Sequence, residues 1–295
     1  MGILALLWGS TFLWIELALT ALSPVQITVT RCALGAAVLF ALARLTRQPL
    51  PRDGVTWRRL VVAAFFCNAL PFALFAIGQR TVDSGVAGVL NATTPLWSLA
   101  IGLLIGTERG IRKLRLSGLL VGFAGTLLVF APWQQEAALP GFLAILGAAV
   151  SYAIAFAYMG RKLVGQGAAP VALSAAQLIT ATGLSALALP AGGPTPTAVT
   201  PTAVLAVVVL GVFCTGVTFY LNYRLIADEG ATSAATVGYL LPVVSVLLGA
   251  IVLSEPLHLR TVGGMLVVLV GVGMARWRKA APVAPVAQAS VKLWI

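Results

Sequence analysis

The chain has 295 residues, 60% of them apolar and 9% charged, with a mean hydropathy of +1.00. Soluble domains carry nearer a quarter charged residues, so an ordinary globular protein is excluded and an integral membrane protein is indicated. The net charge of +11 would suggest a nucleic-acid partner in a soluble chain. Here the basic residues sit mostly between apolar runs, and the enrichment of Lys and Arg in cytoplasmic loops accounts for them without nucleic acid.

Charges and Pro/Gly clusters mark off ten apolar segments, at about 2–21, 25–45, 60–79, 83–105, 114–131, 141–160, 170–190, 203–225, 231–253 and 259–277. Most approach the ~20 residues a helix needs to cross hydrocarbon. In lipid the backbone must satisfy its own hydrogen bonds, which leaves helices or closed barrels, and these runs lack a barrel's alternation. The predicted fold is all-α and integral to the membrane, with ten transmembrane helices. The first run starts at residue 2 without a basic leader and is too long for a cleavable signal. Either that helix is short or the natural start lies upstream. Segment 191–201 is predicted as an uncharged, proline-rich loop, and the Ala/Pro-rich stretch 280–295 as a disordered cytoplasmic tail.

Alternate loops differ sharply in charge. With the N-terminus inside, the inner loops collect Arg44, Arg47, Arg52, Arg58, Arg59, Arg112, Lys113, Arg161, Lys162, Arg224, Arg276 and Lys279 among others, whereas the outer loops hold Arg80 and Arg260. The asymmetry places both termini in the cytoplasm.

The stretch 83–109 recurs at 231–256. Pro95 falls on Pro242, Ser98 on Ser245, Gly102 on Gly249 and Glu108 on Glu255 at one constant offset; Gly118 and Gly125 fall on Gly264 and Gly271 after a one-residue slip. The chain is read as a duplication, 2–131 and 141–277. Five spans per copy is an odd number, so the second copy enters the membrane inverted, the arrangement that suits alternating access.

Polar residues inside apolar runs are the candidate site. A charge in hydrocarbon costs ~2.5–3.5 kcal/mol even on insertion scales, so it needs a partner, a snorkel route or a wet cavity. Glu16 and Arg31 each lie roughly 6–7 Å outward of their helix midpoints at 1.5 Å per residue. This depth makes either a structural pair or a substrate site with Arg31 on a carboxylate and Glu16 titrating against it. Gln177 occupies the place of Arg31 in the second copy. Pro95 and Pro242 interrupt their helices and free carbonyls there; Asn91, Thr93, Thr94, Tyr239 and Ser245 surround the two breaks and can satisfy those groups or face substrate. Trp97 is the mid-span aromatic placed for ligand stacking, and Asn68 and Ser151-Tyr152 fall at similar depth. Glu108 and Glu255, ending corresponding helices, are read as fixing loops. The rows Gly118, Gly122, Gly125 and Gly264, Gly271 are read as helix packing.

The sequence Trp8-Gly9-Ser10-Thr11-Phe12, Ser23-Pro24 with Arg31 seven residues on, Thr94-Pro95 and Gly106-Thr107-Glu108-Arg109 resembles the EamA domain, the repeat unit of the drug/metabolite transporter superfamily. The second half resembles it through Pro170, Gln177, Pro242, Ser254-Glu255-Pro256 and Gly264 to Gly271. The resemblance implies two inverted five-helix halves, with spans 1–4 and 6–9 around a central cavity and spans 5 and 10 peripheral. It also implies transport of small organic metabolites, often export of amino acids or related compounds.

Energy would come from a proton gradient, with Glu16 as the acceptor, or from the substrate's own gradient, since no GxxxxGK[ST] loop is present. Cys32, Cys67 and Cys214 form no CxxC, and His258 is the single histidine. No catalytic residue, metal or cofactor is predicted. The predicted protein is an inner-membrane exporter whose partners are a small-molecule substrate and the lipid bilayer. An importer, an exchanger or a non-transporting membrane sensor are the alternatives, and a homodimer is compatible with the sequence.

Overall fold

The computed structural model describes residues 2–82, 84–106, 113–131, 139–191, 200–241, 243–244, 247–248 and 258–276. Among them all regular structure is helical: α1 (Gly2–Gly9), α2 (Thr11–Leu19), α3 (Pro24–Leu45), α4 (Gly54–Ala64), α5 (Leu70–Gly78), α6 (Ser84–Asn91), α7 (Thr94–Leu104), α8 (Lys113–Phe130), α9 (Leu139–Lys162), α10 (Pro170–Ala186), α11 (Pro201–Gly211), α12 (Thr218–Glu229), α13 (Ala231–Ala235) and α14 (Leu259–Arg276). Helix occurs in each expected segment. Five stretches among the described residues are long and apolar enough to cross a membrane: Gly2–Leu19, Pro24–Leu45, Gly54–Gly78, Leu139–Lys162 and Pro201–Glu229. Thr94–Leu104, Pro170–Ala186 and Leu259–Ala275 are shorter apolar helices. Pro242, Ser245, Glu108, Glu255 and the tail 280–295 lie outside the described residues.

Helix starts follow local chemistry. Ser23 and Gln26 form a reciprocal cap around Pro24: the Gln26 N–H donates to Ser23 Oγ and the Ser23 N–H to Gln26 Oε1. Thr200 caps α11 by accepting from the Ala203 N–H over 3.2 Å, again with proline first in the helix. Asp53 caps α4, accepting the Thr56 N–H at 2.7 Å, and that bond holds its carboxyl below the usual carboxylate range.

Interior breaks have two forms. At Pro95 the chain turns through Ala92-Thr93 between α6 and α7. The hydroxyls of Thr93 and Thr94 donate to the carbonyls of Leu90 and Asn91 at 2.6 and 2.7 Å, so backbone groups released at the proline are satisfied locally. The other form leaves no mark in the sequence. Phe65–Ala69, between α4 and α5, and Val212–Val217, between α11 and α12, are π-helical turns. Their wider winding frees carbonyls: Ser151 Oγ donates to Phe66 O at 2.6 Å, and Thr215 Oγ1 to Leu210 O at 2.8 Å.

Two helix pairs carry much of the packing, α8 with α14 and α3 with α10. Along the first, the two glycine rows meet. A Cβ on Gly118 would strike Gly271 and Ala275, and one on Gly125 would lie 2.6 Å from the Val268 nitrogen and 2.9 Å from the Gly264 carbonyl oxygen. Residue numbers rise on one helix as they fall on the other, so the pair is antiparallel. Packing was the expected role of these glycines, and the structure adds that the rows face each other, backbone against backbone.

At one end of the bundle, Arg59 Nη1 donates to Lys162 O at 3.0 Å, and Arg44, Arg47 and Arg52 line a surface hollow beyond α3. At the other, Gly78 packs against Gly141 and Ile145. Gly271→Ala is expected to lower the melting temperature in detergent, reflecting about 1–3 kcal/mol of overpacking. Gly273→Ala, where a Cβ meets nothing within 4 Å, should leave it unchanged; melting followed by size-exclusion chromatography checks both.

Candidate substrate site

A cavity of about 60 Å³ lies among the helices, narrower than the ~300–1,000 Å³ usual for small-molecule sites. Its wall is built from Trp8 (α1), Thr11, Phe12 and Ile15 (α2), Arg31 (α3), Phe72 and Phe75 (α5), Asn91 (α6), Thr94 (α7), Tyr152 and Phe156 (α9), and Ala235, Gly238 and Leu241. Among the described residues α8 and α14 contribute nothing to it. Ile15, Arg31, Phe75 and Asn91 each stand within about two turns of the 19–24 or 78–84 connection, so the cavity reaches from mid-bundle toward the end away from Arg59 and Lys162.

Arg31 is its cation, 3% exposed. The guanidinium carbon sits 3.8 Å from the Phe72 ring centroid, and Nε donates to Thr215 Oγ1 at 3.0 Å. Thr215 donates onward to Leu210 O, and the Phe72 ring meets Phe219 edge-on at 6.2 Å and 88°. The side chain is thus held by a neutral hydroxyl and an aromatic face. Among the described residues no ion pair involves it, and its remaining N–H donors stay available to an acceptor. A buried cation so placed is stabilised by an anion brought to it.

Around Arg31 the wall is aromatic. Trp8 stacks on Phe156 at 6.3 Å and 9°, Phe12 meets Phe75 at 5.9 Å, and Tyr152 lies 6.0 Å from both Phe75 and Phe156. Asn91 and Thr94 add polar groups where the helix is broken. The opposite wall is close and small: a Cβ on Gly238 would lie 3.9 Å from the Asn91 carbonyl oxygen and 4.0 Å from Pro95 Cδ. The lining is thus apolar and aromatic around one cation, with a few hydroxyl and amide groups. Among the described residues no cluster of His, Cys, Asp or Glu could hold a metal.

Of the residues the sequence singled out, Arg31, Asn91, Thr94 and Tyr152 come together in the cavity. Glu16 does not meet Arg31: Ile15 faces inward and is buried, and Glu16, about 100° further round the helix, is exposed. Trp97 points outward, 39% exposed, rather than stacking in the cavity. Tyr239 is buried beside it, its ring against Gly122 and its hydroxyl donating to Leu119 O at 2.9 Å. Pro95 supports the wall from behind through Gly238. Gln177 and Asn68 lie away from the cavity, joined to each other. The residues missed are Trp8, Thr11, Phe12, Ile15, Phe72, Phe75, Phe156 and Thr215. The run Trp8 to Phe12 was visible as a motif, whereas Phe72 and Phe75 are aromatics inside an apolar run and carry no separate signal.

Membrane-spanning helices around a cavity with a buried cation and an aromatic lining are the architecture of a solute transporter. The sequence profile described as the EamA-like transporter family matches residues 1–131 and again 139–277. The chain belongs to the EamA-like transporter family, a family of integral membrane transporters. An uncharacterized transporter of Archaeoglobus fulgidus is 26% identical over 275 residues, covering 90% of this chain and 93% of that protein. The uncharacterized inner membrane transporter YedA of Escherichia coli K12 is 28% identical over 263 residues, 83% of this chain and 79% of that one. A crystal structure with 22% sequence identity superimposes with a TM-score of 0.76, covering 93% of this chain and 94% of the other, and shares the fold.

Tyr239→Phe removes the bond to Leu119 without touching the cavity wall. It should cost about 1 kcal/mol of stability, seen as a lower melting temperature in detergent.

Proposed function

We propose that the protein is a secondary transporter that exports small organic metabolites carrying a single carboxylate on an apolar or aromatic body, amino acids and related compounds among them. The observation that carries this reading is Arg31: one buried cation facing an aromatic cavity, with no carboxylate among the described residues against it. Sugar-phosphate-like dianions fit less well, because among the described residues Arg31 is the single basic residue in the wall.

The proposed mechanism is alternating access between two inverted five-helix repeats, 2–131 and 141–277, around this cavity. Antiparallel packing of α8 and α14, which hold equivalent positions in the two copies, supports the inversion. The cluster of Arg44, Arg47, Arg52, Arg59 and Lys162 at one end supports placing that end, and both termini, in the cytoplasm of an inner-membrane topology. Proton coupling through Glu16 gains no support from its exposed position. Uptake is the second reading, favoured by the cavity's extension toward the end away from the basic cluster, where Arg31 would meet an anion from outside.

An untargeted metabolite screen of cells overexpressing the protein tests the proposal. Wild type should shift one or a few organic carboxylates across the membrane. Arg31→Ala at equal membrane abundance should lose more than about tenfold of that flux, the equivalent of one charge-assisted contact, while Trp97→Ala should retain it. Flux by Arg31→Ala equal to wild type would overturn the assignment.

A further inference from the structure

The cavity accounts for Arg31 but leaves a second polar cluster in the same bundle without a role. Gln177 on α10 stands 146 positions after Arg31 on α3, each seven residues past the proline that opens its helix. Each reaches the π-helical turn of the other half. Arg31 Nε donates to Thr215, and Gln177 Nε2 donates to Asn68 Oδ1 at 2.7 Å, with Asn68 and Thr215 147 positions apart. The Tyr223 hydroxyl donates to Gln177 Oε1. Next to it, Asn222 is the counterpart of the cavity residue Phe75 at the same 147-residue spacing. The bond from Arg31 to the π-helical turn of the other half therefore recurs at Gln177.

The two sets differ in state. Asn68, Gln177, Asn222 and Tyr223 are all 0% exposed and line no part of the cavity. Their pairing is incomplete as well: both polar atoms of the Asn222 amide, and Nδ2 of Asn68, have no hydrogen-bond partner among the described residues. Buried amides are almost always paired, because an orphaned one forfeits its hydration and gains nothing for it. A core kept permanently shut would be better served by apolar residues of the same shape. An orphaned amide at the position equivalent to the cavity residue Phe75, in a cluster with the counterpart of Arg31, points to a surface that is wet, or occupied, in another arrangement of the helices.

We infer that Asn68, Gln177, Asn222 and Tyr223 form a second, uncharged half-site for the same cargo, closed in this structure and opening toward the end that carries Arg59 and Lys162. The inference rests on the alternating-access reading above. This half-site offers amide N–H groups, amide oxygens and a phenol but no charge, so it takes the carboxylate or ammonium head of an amino-acid-like solute by hydrogen bonds alone. One access state holds an anion with a cation and the other without, so the two faces differ in their hold on it.

Thiol accessibility tests this without knowing the cargo. In the full chain with Cys32, Cys67 and Cys214 replaced by alanine, Phe75→Cys, Asn222→Cys and, as a second probe of the cluster, Gln177→Cys are exposed to the membrane-impermeant cation MTSET in right-side-out and inside-out vesicles. Arg52→Cys marks the basic face. Asn222→Cys and Gln177→Cys should label from the basic face, with loss of labelling when the reagent is on the other side, and Phe75→Cys should show the reverse. Labelling of the cluster from the same face as Phe75→Cys, or from neither face while Phe75→Cys reacts, would overturn the half-site. Labelling of the cluster from the basic face with Phe75→Cys silent would keep it and overturn the cavity reading instead.

Discussion

Arg31 carries a full positive charge within an apolar helix, and the surrounding structure is arranged to make that tolerable. The ion is met by the face of Phe72 and the hydroxyl of Thr215, two groups that attract a cation without neutralising it. Thr215 can serve only because the π-helical turn it occupies reshapes the backbone and leaves the Leu210 carbonyl for its hydroxyl to donate to. Gly35 lets α3 come close to that turn: a Cβ there would lie 3.0 Å from the Gly211 carbonyl oxygen and 3.1 Å from the Gly216 nitrogen. One charge thus sits where a winding defect, a close helix crossing and an aromatic stack meet across α3, α5 and α11–α12.

The broken helices follow a common economy. A lipid-embedded backbone cannot leave carbonyls unpaired, at about 1–3 kcal/mol for each orphaned buried group. Here side-chain hydroxyls answer them: Thr93 and Thr94 at the Pro95 turn, Ser151 and Thr215 at the π-helical turns. Irregular backbone lies beside the cavity and beside Gln177, whereas α8 and α14, which among the described residues contribute nothing to the cavity wall, run unbroken.

Depth along the membrane was legible in the sequence, and direction around each helix was not. An arginine inside an apolar run identified Arg31, and Thr94-Pro95 located the broken helix, because both break the local composition. Glu16 matches Arg31 in depth yet lies one residue past the inward face. Trp97 is central along its helix yet turned outward. Almost every side of these helices is apolar, so periodicity carries little information about which side is covered. The π-helical turns were invisible for a related reason: Phe65–Ala69 and Val212–Val217 are apolar or small apart from Asn68 and Thr215. The glycine rows were legible because they repeat in register, although their facing one another emerged only in three dimensions.

That glycine contact sets a requirement on any shorter relative of this chain. A polypeptide ending near residue 131 would present the strip Gly118-Gly122-Gly125 as bare peptide to acyl chains, which cannot fill so shallow a trough. Only a helix of equally small profile running the other way closes it as seen here. Joining both copies in one polypeptide supplies that antiparallel partner within every molecule.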